Sequence, residues 1–355
     1  MQYDVIIVGA GPAGANAALE FARSNLEVLL IEKESLPRKK PCGGAMPASA
    51  EKLLSIDISK VVKNRTKVLR QYHNYEKEIV KILHDDTNAP ILINRSEFDM
   101  FLLEQARVVG SGNLEIIDKC RVVSVGESPQ MVHVVLENGK TVEAKYLIAA
   151  DGALGKIAPS IGLMQKRKFA PSLDAEITTS AQYYDKHCDT MVMNYFCVPH
   201  GYGWIFPKDK NLFSCGVLTW GKALNLNKEL DDFIARSFPG ESIENIEVSG
   251  YPIPIYQGTE QISTQRILLA GDAAALVDPV SGEGIRFALH SGKISAIVIM
   301  EALKGDTDLL SDSISQKYQK MIDEEIGKEL KTKLSFASLT FHSSPDMFYK
   351  IFLKR

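Results

Sequence analysis

The chain of 355 residues is longer than one compact core usually holds, so two interleaved domains are expected. Hydrophobic content of 45% and charged content of 24% match globular averages and exclude a disordered, collagen-like or coiled-coil chain. With 41 basic against 44 acidic side chains the net charge is −3, which gives no electrostatic footprint for nucleic acid.

Residues 3–8, Tyr-Asp-Val-Ile-Ile-Val, form the short β-branched run of a buried parallel strand. Gly9-Ala-Gly-Pro-Ala-Gly14 follows at once, then an Ala-rich helix to about Arg23, and a second strand over 27–31 that ends at Glu32. This is a complete βαβ opening in about 30 residues. A Lys/Pro/Gly-rich loop over 33–50 contains Pro41-Cys-Gly-Gly44. Residues 66–93 alternate as an antiparallel sheet would. Asn94-Arg-Ser-Glu97 opens a helix that Ser96 can cap, with Phe98, Phe101, Leu102 and Gln105 at helical spacing. Residues 114–149 read as a strand and a hairpin turning at Asn138-Gly139, ending in a buried run before Asp151-Gly152. Residues 165–262 alternate again, hold both tryptophans, and look helical only over about 227–237. A parallel-strand signal returns at 266–270, followed by Gly271-Asp272, a long helix from near Gly284 to about Leu303, and fifty helical C-terminal residues. No internal repeat is present.

The Gly9–Gly14 motif sits between a strand and a helix, with Glu32 following 18 positions after its last glycine, which is the context a dinucleotide site requires. Gly9 allows the tight turn, Gly11 lets the backbone approach a pyrophosphate, and Gly14 permits close helix–strand packing. The helix N-terminus offers free N–H groups and its positive end to the phosphates, and Glu32 an acceptor to a ribose. The same motif serves NAD and FAD. Arg95, Asp151-Gly152, Gly271-Asp272 and Ser281-Gly-Glu-Gly284 lie far apart in sequence but at predicted strand ends or helix starts. A ligand long enough to need all of them is a flavin dinucleotide lying extended. The second helix would direct its positive end at the flavin pyrimidine and stabilise the reduced, anionic ring.

These spacings resemble the p-hydroxybenzoate hydroxylase-type flavoproteins. Within that group the chain is similar to the geranylgeranyl reductase family, on the strings Lys40-Pro-Cys-Gly-Gly44, Tyr202-Gly-Trp-Ile-Phe-Pro207 and 271–284. The family's aromatic motif continues after a spacer to Gly-x-Gly or Gly-x-Trp; here Gly216-Val-Leu218 supplies the first glycine and a leucine at the last position. The resemblance implies an α/β fold: a split Rossmann-like FAD-binding domain over 1–65, 94–164 and 263–305, an inserted antiparallel-sheet substrate domain over 66–93 and 165–262, and C-terminal helices over 306–355. It implies FAD contacts from Gly9, Gly11, Pro12, Ala13, Gly14, Glu32, Lys33, Cys42, Gly43, Gly44, Arg95, Val123, Asp151, Gly152, Gly271, Asp272, Pro279, Gly282, Gly284 and Ile285. Cys42, Tyr202 and Trp204 become catalytic candidates, and Tyr202, Trp204, Phe206, Pro207 and Gly216 substrate contacts.

The implied activity is FAD-dependent saturation of C=C bonds in a geranylgeranyl chain carried by diphosphate, chlorophyll or lipid. The alternative on the same scaffold is an FAD-dependent monooxygenase acting on a hydrophobic substrate; a flavin halogenase is disfavoured because Trp204-Ile-Phe-Pro lacks that group's second tryptophan. No second dinucleotide fingerprint is present, so the electron donor is either transient NADPH or a ferredoxin-like protein. Lys166-Arg-Lys168 and Arg38-Lys-Lys40 read as solvated faces that could instead meet a diphosphate or phospholipid head. His73, His84, His133, His187, His200 and His290 show no metal-ligand spacing, so no metal is expected. Five cysteines with no Cys-x-x-Cys pair point to a reduced, cytoplasmic protein. A strand opening at Tyr3 leaves no room for a signal peptide, and no apolar run reaches the ~18–20 residues that span a bilayer, so a membrane contact would be peripheral. Oligomeric state is not legible.

Overall fold

In the computed structural model the β-branched run forms Gln2–Val8, paired in parallel with Val28–Ile31 on one side and Thr141–Ala149 on the other. The structure describes residues 2–84, 88–110, 113–221, 224–241, 243–258, 260–305 and 313–342. Leu114–Ile117 continues the sheet beyond Val28–Ile31, and Ile267–Leu269 joins Thr141–Ala149, again in parallel. Parallel strands all point their C-terminal ends to one edge, so Gly9, Glu32, Asp151 and Gly271 emerge side by side although they are far apart in sequence. The antiparallel strands Val122–Glu127 and Val132–Leu136 complete the sheet. The turn at Gly139 has φ +80°, the left-handed conformation that a hairpin of this kind asks of a glycine.

Two helices pack on this sheet, Pro12–Phe21 and Ile285–Lys304. Their backbones meet at Gly292, where a Cβ would stand 2.1 Å from the Ala13 carbonyl oxygen. Asn16 Nδ2 donates to Leu289 O across the same crossing at 2.8 Å, and Gly271 N donates to Ser291 Oγ at 2.9 Å. The second helix therefore fixes both the start of the first helix and the Gly271 turn.

A second sheet runs in the order Asn245–Ile255, Lys168–Thr178, Leu212–Thr219, Gly201–Pro207, Thr190–Tyr195, Val68–His73, Glu76–Ile82. Leu226–Ser237 covers one face with Leu230, Phe233 and Ile234. The sheet departs from a purely antiparallel pattern where Val68–His73 pairs in parallel with Thr190–Tyr195. Residues expected to continue this sheet do not all do so: Ile91–Ile93 pairs with Ala45–Met46 and Val62–Arg65 in a three-stranded sheet of its own. Two local readings also change. Asn94, not Ser96, caps the helix Arg95–Val109: its Oδ1 accepts from Ser96 N at 3.0 Å and from Ser96 Oγ at 2.7 Å. Ala181–His187 is a short helix inside the region read as strands, capped by Ser180, whose Oγ accepts from Tyr183 N.

Of the C-terminal helical stretch, 306–312 and 343–355 lie outside the described residues. Ile314–Ile322 runs through a π-turn, Asp323–Gly327, into Lys328–His342. Tyr318, fully buried, donates its hydroxyl proton to Leu269 O at 2.6 Å and so anchors this segment to the first sheet. No helix among the described residues is long and apolar enough to cross a membrane.

The Gly292 crossing admits a direct check. Gly292→Val would drive a branched side chain into the Ala13 carbonyl, with an overpacking cost of about 3 kcal/mol. The expected result is a lower chemical-denaturation midpoint; an unchanged midpoint would show that the helices can separate freely here.

Candidate active site

A single cavity of about 880 Å3 runs along the sheet edge from Glu32 to the aromatic strand Gly201–Pro207. At its first end Glu32, 4% exposed, accepts from Ala10 N at 2.8 Å and Arg38 Nε at 3.2 Å on Oε2, and from Glu34 N at 3.0 Å on Oε1. A carboxylate has about four lone-pair sites, so Oε1 keeps capacity for a ribose hydroxyl. Next comes the N-terminus of Pro12–Phe21, which no side chain caps. Its free N–H groups open into the cavity beside Gly11, Pro12 and Ala13.

Two guanidinium groups stand at this helix end: a Cβ on Gly11 would lie 3.3 Å from Arg38 and 3.9 Å from Arg95. Asp99, 2% exposed, holds both. It accepts from Arg95 Nε at 3.0 Å and Arg95 Nη2 at 2.9 Å, and from Arg38 Nη2 at 3.2 Å. Arg38 is thus a buried wall residue and not a solvated one. Within the run read as a free basic face, Arg38 is drawn inward by Glu32 and Asp99, while Lys39 stays exposed and pairs with Glu247. Lys40 follows it, its ammonium 2.6 Å from the Tyr251 ring centroid and its pKa pushed down to about 7 by burial.

Further along, Asp272 enters from the turn after Ile267–Leu269, its carboxyl pushed up by burial and drawn back by Lys40 and Arg95. Asp151 accepts from Ile157 N at 3.1 Å, while its Oδ1 is buried without a partner. Arg167 donates to Ala153 O and Gly155 O, bracing the Asp151–Gly155 loop rather than meeting a ligand. The Cys42 thiol accepts from Gly44 N at 3.4 Å and faces Arg95. Gly44 has φ +74° and packs against Ile93 O, an approach that a Cβ would close to 2.2 Å. Glu283, in the loop before Ile285–Lys304, is raised to about 6 by burial.

At the far end Tyr202, Trp204 and Phe206 line the cavity in one row, with ring centroids 6.1 and 6.3 Å apart. A strand of alternating residues turns all three to one face, as expected. The Tyr202 hydroxyl donates to Ser281 O, so it is engaged by the loop that precedes Gly282 and Gly284. Trp204 Nε1 donates to Ser214 Oγ at 3.1 Å. Met191, Met193 and Ile253 extend the apolar wall.

The cavity brings together Gly9, Gly11, Pro12, Ala13, Glu32, Lys33, Cys42, Gly43, Gly44, Arg95, Asp151, Gly152, Asp272, Gly282, Gly284 and Ile285, with Tyr202, Trp204 and Phe206. Six expected residues stand outside its wall. Gly14 and Gly271 are packing glycines, the first under Gly9 O and the second between Ala13 and Ala288. Val123 turns outward, 61% exposed, and Val122 lines the cavity in its place. Pro279 is buried in its loop. Pro207 closes the aromatic strand, where its carbonyl accepts from Asn64. Gly216 lies beneath Trp204, since a Cβ there would come within 2.2 Å of the indole. Sequence reading missed Asp99, whose Arg95-x-x-x-Asp99 spacing on one helix face was an available signal. It also missed Asp174 and Ser214, which nothing local marks.

The partnerless Asp151 Oδ1, the uncapped helix N-terminus and the two arginines beside Gly11 fit the ribose, pyrophosphate and flavin of an extended FAD. The fold and this site define an FAD-dependent oxidoreductase. Residues 2–319 match the FAD binding domain family. The chain belongs to that family, in its geranylgeranyl reductase branch. It is 30% identical over 353 residues to a digeranylgeranylglycerophospholipid reductase of Methanopyrus kandleri, covering 92% of this chain and 87% of the relative. It is 30% identical to the enzyme of the same name from Methanosarcina acetivorans, covering 94% and 83%. A geranylgeranyl bacteriochlorophyll reductase-like structure from Thermoplasma acidophilum superposes with a TM-score of 0.83 at 25% identity, covering 98% of this chain and 90% of that one.

The Asp99 clamp generates a prediction. Asp99→Ala leaves two buried guanidinium groups without their shared carboxylate, a loss of about 3–5 kcal/mol. In FAD-loaded protein the loss should be smaller, because a pyrophosphate at the helix end takes over part of the pairing. Denaturation of both forms measures the difference; equal losses would place the pyrophosphate elsewhere.

Proposed function

We propose that the protein is an FAD-dependent reductase that saturates C=C bonds in a geranylgeranyl-type chain attached to a lipid or diphosphate head. The observation that carries this reading is the continuity of one cavity, charged at the dinucleotide end and walled by Tyr202, Trp204 and Phe206 at the other. A polyprenyl chain offers no hydrogen bonds and binds by burial, at about 25 cal/mol per Å2 of apolar area. An aromatic and methionine wall suits that need. The names of the relatives support the same substrate class.

Bound FAD, once reduced, supplies hydride at its ring. The residues of the chain do the rest. Glu32, the helix N-terminus, Arg38 and Arg95 hold the adenosine diphosphate. Cys42, Gly43 and Gly44 let backbone and thiol lie against the ring without Cβ obstruction. The aromatic row orients the chain and excludes water, which matters because an isolated alkene accepts hydride only when closely positioned. Only one dinucleotide fingerprint is present, so electrons arrive from a visiting donor, NADPH or a ferredoxin-like protein. A lipid-borne substrate would bring the protein to a membrane surface.

Trp204→Ala tests the substrate wall. FAD should remain bound, and turnover of a geranylgeranyl lipid should fall more than that of a short prenyl analogue, because the deficit grows with lost contact area. If Trp204 serves packing alone, the change costs about 3–5 kcal/mol of stability and spares activity per flavin-loaded molecule. Product mass spectrometry with thermal unfolding on one sample separates the two, and the second outcome overturns the cavity assignment.

A further inference from the structure

One buried carboxyl group stands in the apolar half of the cavity, where Ser172 on its own strand and Ser249 opposite it also line the wall. Asp174, in Lys168–Thr178, lines the cavity while only 6% exposed. Its Oδ2 accepts from Ser214 Oγ at 2.7 Å, and Ser214 Oγ in turn accepts from Trp204 Nε1 at 3.1 Å. Asp174 pairs across the sheet with Gly216, and Gly216 with Trp204, so carboxyl and indole share one face at one level. A buried carboxyl costs stability that an apolar residue of like size would avoid, so packing does not account for it.

The charged and titratable groups around it are Glu176 on its own strand, Lys208 at the end of the aromatic strand, Lys39 in the cavity loop and Cys215 on the neighbouring strand. Lys208 is 2% exposed and pairs with Glu176 at 3.3 Å. Burial pushes the Asp174 carboxyl up, while Lys208 and the Ser214 hydroxyl draw it partly back. The group thus keeps its proton to higher pH than an ordinary carboxyl, yet its anion has partners.

Saturating an alkene takes a hydride at one carbon and a proton at the other. The Tyr202 hydroxyl is committed to Ser281 O. Resting on the reductase reading above, we propose that Asp174 is the acid that protonates the substrate alkene. The alkene gains hydride from reduced flavin at one carbon. At the other, a C–H bond forms as the Asp174 O–H bond breaks, leaving a carboxylate that accepts from Ser214 Oγ–H and is favoured by the nearby Lys208 charge. A proton from water restores the acid, with the 28%-exposed Glu176 side chain linking Lys208 to solvent.

The test uses the FAD-loaded enzyme. Asp174→Asn keeps the acceptor for Ser214 but has no proton to give. In a single turnover of photoreduced enzyme with a geranylgeranyl glycerolipid, alkene reduction should slow by about 10²–10⁴-fold, with FAD loading and lipid binding unchanged. Asp174→Glu should recover part of the rate. Infrared spectra of the oxidised holoenzyme should show a protonated-carboxyl stretch that persists to higher pH than an ordinary carboxyl's and that Asp174→Asn removes. Should Asp174→Asn fail to fold, Ser214→Ala retains the acid and removes a bond that favours its anion, so the alkaline limb of the rate profile should move to higher pH. An active wild type matched by Asp174→Asn, the absence of the infrared band, or an unmoved limb in Ser214→Ala overturns the assignment. A wild type inert towards the lipid overturns the reductase reading itself, and this role with it.

Discussion

Asp99 is the group on which the cofactor half of the molecule turns. Arg38 and Arg95 converge on the positive end of a helix, an arrangement that two like charges resist. One buried carboxylate makes it possible, accepting from both guanidinium groups, with Glu32 taking a further bond from Arg38. The two arginines and two carboxylates sum to zero charge. The arginines' remaining N–H donors, the uncapped helix N-terminus and Lys40 all open on the same stretch of the cavity. The clamp also joins parts of the chain that share no strand pairing: the end of Val28–Ile31, the 33–44 loop and the helix Arg95–Val109. Through Arg95 it reaches the Cys42 thiol, which connects the adenosine end of the groove to the ring end.

The ring end is joined to the second sheet just as directly. Tyr202 donates to Ser281 O, while Gly43 lies so close to Trp204 and Phe206 that a Cβ would come within 3.1 Å of both. The 42–44 and 281–284 loops and the aromatic strand are therefore packed directly on one another. Hydride transfer to an unactivated alkene depends on placement to a fraction of an ångström, and such coupling supplies that placement.

What could be read from the sequence was whatever obeys a local rule. Gly9, Gly11 and Glu32 follow a spacing set by one turn and one helix, and the Tyr202–Phe206 row follows strand alternation. Asp151 and Asp272 were placed because parallel strands must end on one edge. Asp99 escaped because its i,i+4 pair with Arg95 looks like any solvent-facing helix pair until Arg38 from the 33–44 loop closes on it. Arg38 was misread for the complementary reason: a basic run looks solvated unless its acidic partners are known. The pairing of Ile91–Ile93 with Ala45–Met46 and Val62–Arg65 was hidden because strand alternation names a strand but not its neighbour. Val123 shows how narrow the margin is, since a shift of one residue along a strand exchanges inside for outside.

Leu218 shows how a departure from the family's aromatic motif can be absorbed. It stands opposite Tyr202 on the neighbouring strand and is fully buried. Its Cδ1 would lie 3.3 Å from a Cβ on Gly282, so it fills the space between the aromatic strand and the 281–284 loop. A glycine there would remove the packing beneath Tyr202, leaving the hydroxyl bond to Ser281 O and the rings of Tyr195, Trp204 and Trp220 to hold it. With leucine the ring is wedged from beneath and tethered at its tip, which fixes the first member of the row and, through the contacts between Tyr202, Trp204 and Phe206, the whole wall. Behind that wall Ser214 and Asp174 then meet an indole with one orientation, the condition under which a hydrogen-bond chain of three members stays continuous.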